Sequence, residues 1–230
     1  MSEHIVSRYD EELNDVARRI AEMGGMAERL VDVAVGALIR VDTATAKTVI
    51  ADDKKLDTLQ RECEERAIMI IARRQPMAMD LREVIAAQRI ASDLERIGYL
   101  AKNIAKRVPM IHAEGEERIE AISILPSVAQ IASDMVHDVL DAFSARDAAM
   151  AEQVCARDTA LDDFYDSIFR TLVTFMVENP RTISQVAHLL FVAKNIERIG
   201  DHATNVAEMV YFAATGSYLA DREAGEPGAN

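Results

Sequence analysis

A chain of 230 residues, half of them hydrophobic, can bury one or two sizeable cores without help from disulfides. Its formal net charge of −13 excludes a sequence-independent grip on nucleic acid or anionic lipid, since both need concentrated Lys and Arg, and suits cations or basic partner surfaces. Nine Gly, five Pro and no Trp, beside abundant Ala, Ile, Val and Met, are the usage of an all-helical protein.

Apolar residues recur at helical spacing over residues 4–40, among them Leu13, Val16, Ile20, Met23, Leu30 and Leu38, and predict a first amphipathic helix. A second follows Asp42-Thr43 and runs to Arg74. Gln75-Pro76 ends it, because Pro lacks the N–H donor and disfavours helix in the residue before it. A third covers residues 79–108, where Pro109 and the segment around Gly115 are expected to break it. The order then repeats, with helices over residues 120–145, 147–177 and 182–214 and a second hairpin turn at Asn179-Pro180.

Duplication is also written in the letters. Asp93-Leu94-Glu95-Arg96-Ile97-Gly98 returns 102 residues later as Asn195-Ile196-Glu197-Arg198-Ile199-Gly200, while Asp42, Asp53 and Asp57 return 105 residues later as Asp147, Asp158 and Asp162. The expected architecture is all-α: two tandem three-helix bundles, residues 1–112 and 113–215, packed end to end or side by side, then a loose tail over 216–230. No stretch resembles a secretion signal or a membrane span, so a cytoplasmic protein with no direct membrane insertion is expected. Cys63 and Cys155 do not correspond between repeats and read as buried, reduced thiols. The eleven methionines, spread at core spacing, read as packing.

With 39 acidic residues, chance alone supplies roughly six or seven pairs four apart, so Glu11 with Asp15, Glu28 with Asp32 and Asp134 with Asp138 read as solvated faces. Reflection about the hairpins is less random. Asp162 and Glu197 are equidistant from the Asn179-Pro180 corner, as are Asp158 and Asp201, so an antiparallel helix pair sets them at one level. Asp57 and Glu95 mirror each other about Pro76, and Asp53 mirrors Tyr99. Carboxylates gathered this way repel one another unless a cation joins them, and their hard oxygens suit Mg, Ca, Mn or iron. The alternative is an open face of surface ion pairs to Arg198 or Arg170. No fixed Lys or Arg is expected among the second four. His202 points about 100° away from Asp201 around the helix and is a weak ligand candidate, and His4, His112, His137 and His188 are scattered. No Glu-x-x-His, His-Glu-x-x-His, Gly-x-Ser-x-Gly or phosphate-cradling Gly loop occurs, so neither a catalytic residue nor an organic cofactor is expected.

The stretch from Asn195 to Glu208, its partial copy from Asp93, Arg74-Gln75-Pro76 with Asp80-Leu81-Arg82, and Met23-Gly24-Gly25-Met26 together resemble the PhoU proteins, bacterial regulators of phosphate uptake. The resemblance spans residues 5–215. It implies a cytoplasmic, non-enzymatic protein of two three-helix repeats that links the phosphate ABC transporter, through its ATPase, to a sensor histidine kinase and holds the phosphate-starvation response off. A homodimer is the expected assembly. Family members bind metal through paired acidic motifs, some as multinuclear iron clusters. By position these fall on Asp158, Asp162, Glu197 and Asp201, and on Asp53, Asp57 and Glu95. A divalent or ferric ion (Mg, Mn or iron) is thus expected in the second repeat. The first departs from the pattern at Tyr99, where the family has Asp, and carries Lys102 and Lys106 where the second has Thr204 and Glu208, so a weaker or empty first site is expected. Arg73, Arg74 and Arg82, clustered at the first hairpin, are a candidate contact with an acidic partner surface. The rival reading is a metal-dependent enzyme on a helical-bundle scaffold.

Overall fold

A computed structural model of the chain describes residues 2–113 and 120–219. Seven α-helices occur among them: α1 (Ser2–Arg40), α2 (Thr43–Arg74), α3 (Met79–Ala113), α4 (Leu125–Ala145), α5 (Ala148–Ala156), α6 (Asp158–Glu178) and α7 (Ile183–Thr215). Short 3-10 turns precede α4 and α7, and no strand is found among the described residues. The tail from residue 220, and the side chains of His4 and His112, lie outside what is described.

The duplicated aspartates explain where helices begin. Asp42 Oδ1 accepts from the backbone N–H of Ala44 and Thr45, both at 3.0 Å, and Asp147 Oδ1 accepts from Ala149 at 2.8 Å and Met150 at 3.1 Å. Each satisfies two donors that a helix start leaves orphaned. The residue before each cap, Val41 (φ 54°) and Arg146 (φ 53°), turns the chain through the left-handed region. Gln75 (φ 49°) closes α2 in the same way, with its N–H on Ile71 O at 3.1 Å, ahead of Pro76.

Three boundaries differ from expectation, the first being that residues 120–124, expected to open the fourth helix, form a 3-10 turn ahead of α4. The helix expected over 147–177 is split at Arg157, where its N–H donates to Val154 O three residues back and its guanidinium reaches Asp138 at 2.6 Å. Asp158 therefore opens α6 instead of lying mid-helix as Asp53 does. Conversely, α3 runs through Pro109 to Ala113. The missing N–H is outweighed there by anchoring on both sides, since Val108 and Ile111 are buried and Gln185 donates to Ile111 O.

The repeats lie side by side. Asp32 accepts from Ser133 at 2.7 Å and Glu28 meets His137 at 3.0 Å, so α1 and α4 run antiparallel. Arg107 lies over Phe191 while Arg89 meets Met209, which makes α3 and α7 antiparallel too. These last contacts exchange the same two repeat positions, as a pseudo-twofold axis between the halves requires. The α3–α7 pair is the most extensive in the molecule, and one continuous apolar core takes in Ile20, Leu56, Ile97 and Ile104 of the first half with Leu125, Met135 and Leu161 of the second. Cys63 and Cys155 are buried in it and form no disulfide. Of the methionines, Met23 and Met135 pack as expected, but Met69, Met77, Met79 and Met110 are exposed, Met77 and Met79 at the α2–α3 connection where no helix covers them.

Candidate metal centre

In the second repeat α6 brings Asp158 and Asp162, one turn apart, and α7 brings Glu197 and Asp201. A Cβ on Gly200 would sit 2.0 Å from Leu161 Cδ2, so the bare glycine is what lets the two helices close on each other at this level. One carboxylate oxygen each of Asp162, Glu197 and Asp201 lie within 4.8 Å of one another. Asp158 borders this group and accepts from Thr204 Oγ1 at 3.0 Å. Asp162 is exposed and Glu197 buried, so the cluster opens at the surface and is floored inside.

Negative charge is poorly balanced here. Burial, followed by the charges of Glu197 and Asp158, pushes the Asp201 carboxyl up to about 6. The Asp162 carboxyl is raised for similar reasons, burial first and then Asp158 and Glu197. Glu197 Oε2 is buried with no hydrogen-bond partner among the described residues, while Oε1 is taken by Lys194 Nζ. That lysine corrects the expectation of no fixed cation among the four. It stands three residues before Glu197 on the same helix face, and its ammonium lies 5.1 Å from the Tyr165 ring centre. One ammonium still faces four carboxylates, and an orphaned buried oxygen within a set of hard donors fits a Mg, Mn or ferric ion held by Asp162, Glu197 and Asp201. Neither Arg170, whose Nε donates to Asp166 O, nor the exposed Arg198 closes the cluster as a surface ion pair.

The first repeat is built differently. Asp53 is 2% exposed and its Oδ2 pairs with Lys102 Nζ, while Oδ1 is buried without a partner among the described residues. Arg96 Nε lies 3.7 Å from Glu95, whose carboxyl burial raises and Arg96 pulls back down, with Asp57 and Asp53 adding to the rise. Tyr99 stands between the two cations, 4.5 Å from Lys102 Nζ and 6.0 Å from the Arg96 guanidinium. Asp53, Asp57 and Glu95 do not converge as a ligand set; among the described residues the second-repeat trio alone does.

Other candidates are occupied elsewhere. His202 Nδ1–H donates to Asp93 at 2.8 Å, and Asn205 reaches the same oxygen at 3.3 Å, so His202 ties α7 to α3 and is not part of the cluster. His188 meets Arg107 at 3.1 Å. Of the acidic pairs read as solvated faces, Glu11 is exposed, Asp15 is met by Arg18, Arg19 and Arg66, Glu28 by His137, Asp32 by Ser133, Asp134 by Gln130 and Asp138 by Arg157. The arginines of the first hairpin do not form one free patch. Arg74 is clamped by both oxygens of Glu12 and Arg82 covers Gly216 at the end of α7, which leaves Arg73 exposed. Lys194 went unnoticed in the sequence, and Thr204, noted there as the counterpart of Lys102, turns out to donate to Asp158.

Fold and site define the class first: a duplicated three-helix bundle with a carboxylate cluster between the last two helices of its second half, in which no helix among the described residues is long and apolar enough to cross a membrane. The PhoU domain matches residues 20–108 and again 125–210, once per repeat, and the chain belongs to the PhoU family. It is 50% identical over 214 residues to the phosphate-specific transport system accessory protein PhoU homolog of Rhizobium meliloti (strain 1021), covering 93% of this chain and 90% of that one. The homolog so named from Zymomonas mobilis is 45% identical, with 97% and 93% covered. Among solved structures, PhoU from Pseudomonas aeruginosa superposes with a TM-score of 0.87 at 38% identity, covering 91% of this chain and all of that one. The phosphate transport system regulatory protein PhoU from Streptococcus pneumoniae gives 0.84 at 25% identity, with 92% and 99% covered.

Proposed function

We propose that this protein is a cytoplasmic accessory of a phosphate transport system that works through its surfaces and not by catalysis. The observation that carries the reading is its 50% identity, over nearly its whole length, to a protein named as a phosphate-specific transport system accessory protein. Its partners are the ATPase of the phosphate ABC transporter and a sensor histidine kinase, and it holds phosphate-starvation genes off while phosphate is plentiful. It acts as a homodimer. Exposed Phe169, Val173 and Val177, spaced four apart along α6, with Ile183 and Phe191 on α7, offer apolar surface for such contacts.

In the second repeat Asp162, Glu197 and Asp201, bordered by Asp158, hold a divalent or ferric ion that supplies positive charge to an acid-rich cluster. A metal-dependent enzyme would need its recess at the carboxylates, and the cavity of about 360 Å³ between the repeats, lined by Leu13, Val16, Val84, Ile90 and Phe143 among others, is not at them.

Deletion of the gene tests the regulatory reading: phosphate-starvation genes should be expressed even in high phosphate. Their continued repression, together with failure of tagged protein to capture the transporter ATPase or the kinase, would sink it.

A further inference from the structure

The first repeat carries a cation of its own. Asp53 and Asp158 occupy the same place in the two repeats, and each is met from the same position of the partner helix, by Lys102 Nζ in one case and by Thr204 Oγ1 in the other. The difference is a full positive charge. The pair is withdrawn from water, with Asp53 2% and Lys102 17% exposed, so its attraction is weakly screened. Among the described residues Asp53 Oδ1 has no hydrogen-bond partner, and Lys102 is the cation paired with this buried carboxylate. Tyr99, where the second repeat has Asp201, presents its ring to the same ammonium at 4.5 Å in place of a ligand oxygen. Arg96 attends to Glu95 from 3.7 Å.

We propose that the Lys102 ammonium does for the first repeat what a metal ion would do for the second: it is a built-in cation that closes the site, so Asp53 is paired without metal and any ion the chain binds goes to the second half. A metal entering the first site would have to evict a mostly buried ammonium from Asp53, leaving that charge unpaired. The proposal does not require the second repeat to bind an ion.

Manganese is the probe. At one equivalent of Mn²⁺ in the parent protein, paramagnetic broadening should fall on backbone amides near Asp162, Glu197 and Asp201 and spare those near Asp57 and Glu95. A double variant, Tyr99→Asp with Lys102→Thr, copies the second repeat and should bind one more ion per chain by calorimetric titration, with new broadening near Asp53, Asp57 and Glu95. Equal broadening of both repeats in the parent, or a folded double variant that gains no ion, overturns the proposal. Should the variant need Mn²⁺ to regain its helical circular dichroism, that supports it. A parent that binds no ion beside a variant that binds one defeats the metal reading of the second repeat and leaves this inference standing.

Discussion

At the residue scale the cluster is shaped by Asp201. An ordinary aspartyl releases its proton near 3.8, whereas Asp201 in the folded protein does so near 6. Between those values the folded state holds a proton that the unfolded chain has lost. Metal-free protein should therefore lose stability as pH rises from about 4 to about 6, and the whole cost should remain above that. A two-unit shift is worth roughly 3 kcal/mol, and partial exposure reduces this to about 1 kcal/mol. Asp201→Asn should accordingly raise the melting temperature of chelator-treated protein at neutral pH by about 2–4 °C and abolish the further rise that Mn or Mg brings. A variant no more stable than the parent without metal, yet still stabilised by Mn, would remove Asp201 from the site. Val41 is a separate case, because a β-branched residue at φ 54° is strained by roughly 1–2 kcal/mol. Val41→Gly should stabilise the protein by about 0.5–1 kcal/mol, less than the relieved strain because glycine costs entropy on folding. Urea denaturation measures it.

At the element scale the decisive device is a glycine set against a leucine. Gly98 against Leu56 and Gly200 against Leu161 repeat the same packing, with an added Cβ falling 2.3 Å and 2.0 Å from a leucine methyl. Both leucines are buried in the core and have little room to yield. Alanine at either glycine should cost about 1–3 kcal/mol through overpacking. The two variants should differ in a second respect. Gly200→Ala widens the α6–α7 pair that holds the carboxylates and should lower the metal-induced rise in melting temperature, whereas Gly98→Ala should leave that rise intact. Equal effects of the two on metal stabilisation would mean that helix spacing at Gly200 does not set the ligand geometry.

At the scale of the whole molecule the two repeats share one core. The antiparallel α3–α7 and α1–α4 pairs bury apolar residues of both halves against each other, and Asp93 with His202 and Asp32 with Ser133 fasten the seam. Such a seam couples the halves energetically, so heating should give a single cooperative transition with calorimetric and van't Hoff enthalpies in agreement. Two resolved transitions would show that the repeats fold independently despite the shared interior.

Much of this was legible in the letters. Helix type followed from apolar periodicity, the ends of α2 from Asp42 and Gln75-Pro76, and the duplication from motifs returning at fixed offsets, because each of these is a local property of the backbone and its neighbours in the chain. The level of Asp162 against Glu197 was also readable, since an antiparallel hairpin conserves distance from its turn. Tertiary structure decided the rest. That α3 passes Pro109 depends on burial of its last turn, and that Arg74, Arg82 and His202 are committed within the fold depends on Glu12, Gly216 and Asp93, residues distant in sequence. Whether a lysine beside a carboxylate extends into solvent or closes upon it turns on the packing around its stem, and for Lys102 and Lys194 only the folded arrangement of Tyr99, Asp53, Tyr165 and Glu197 settles it.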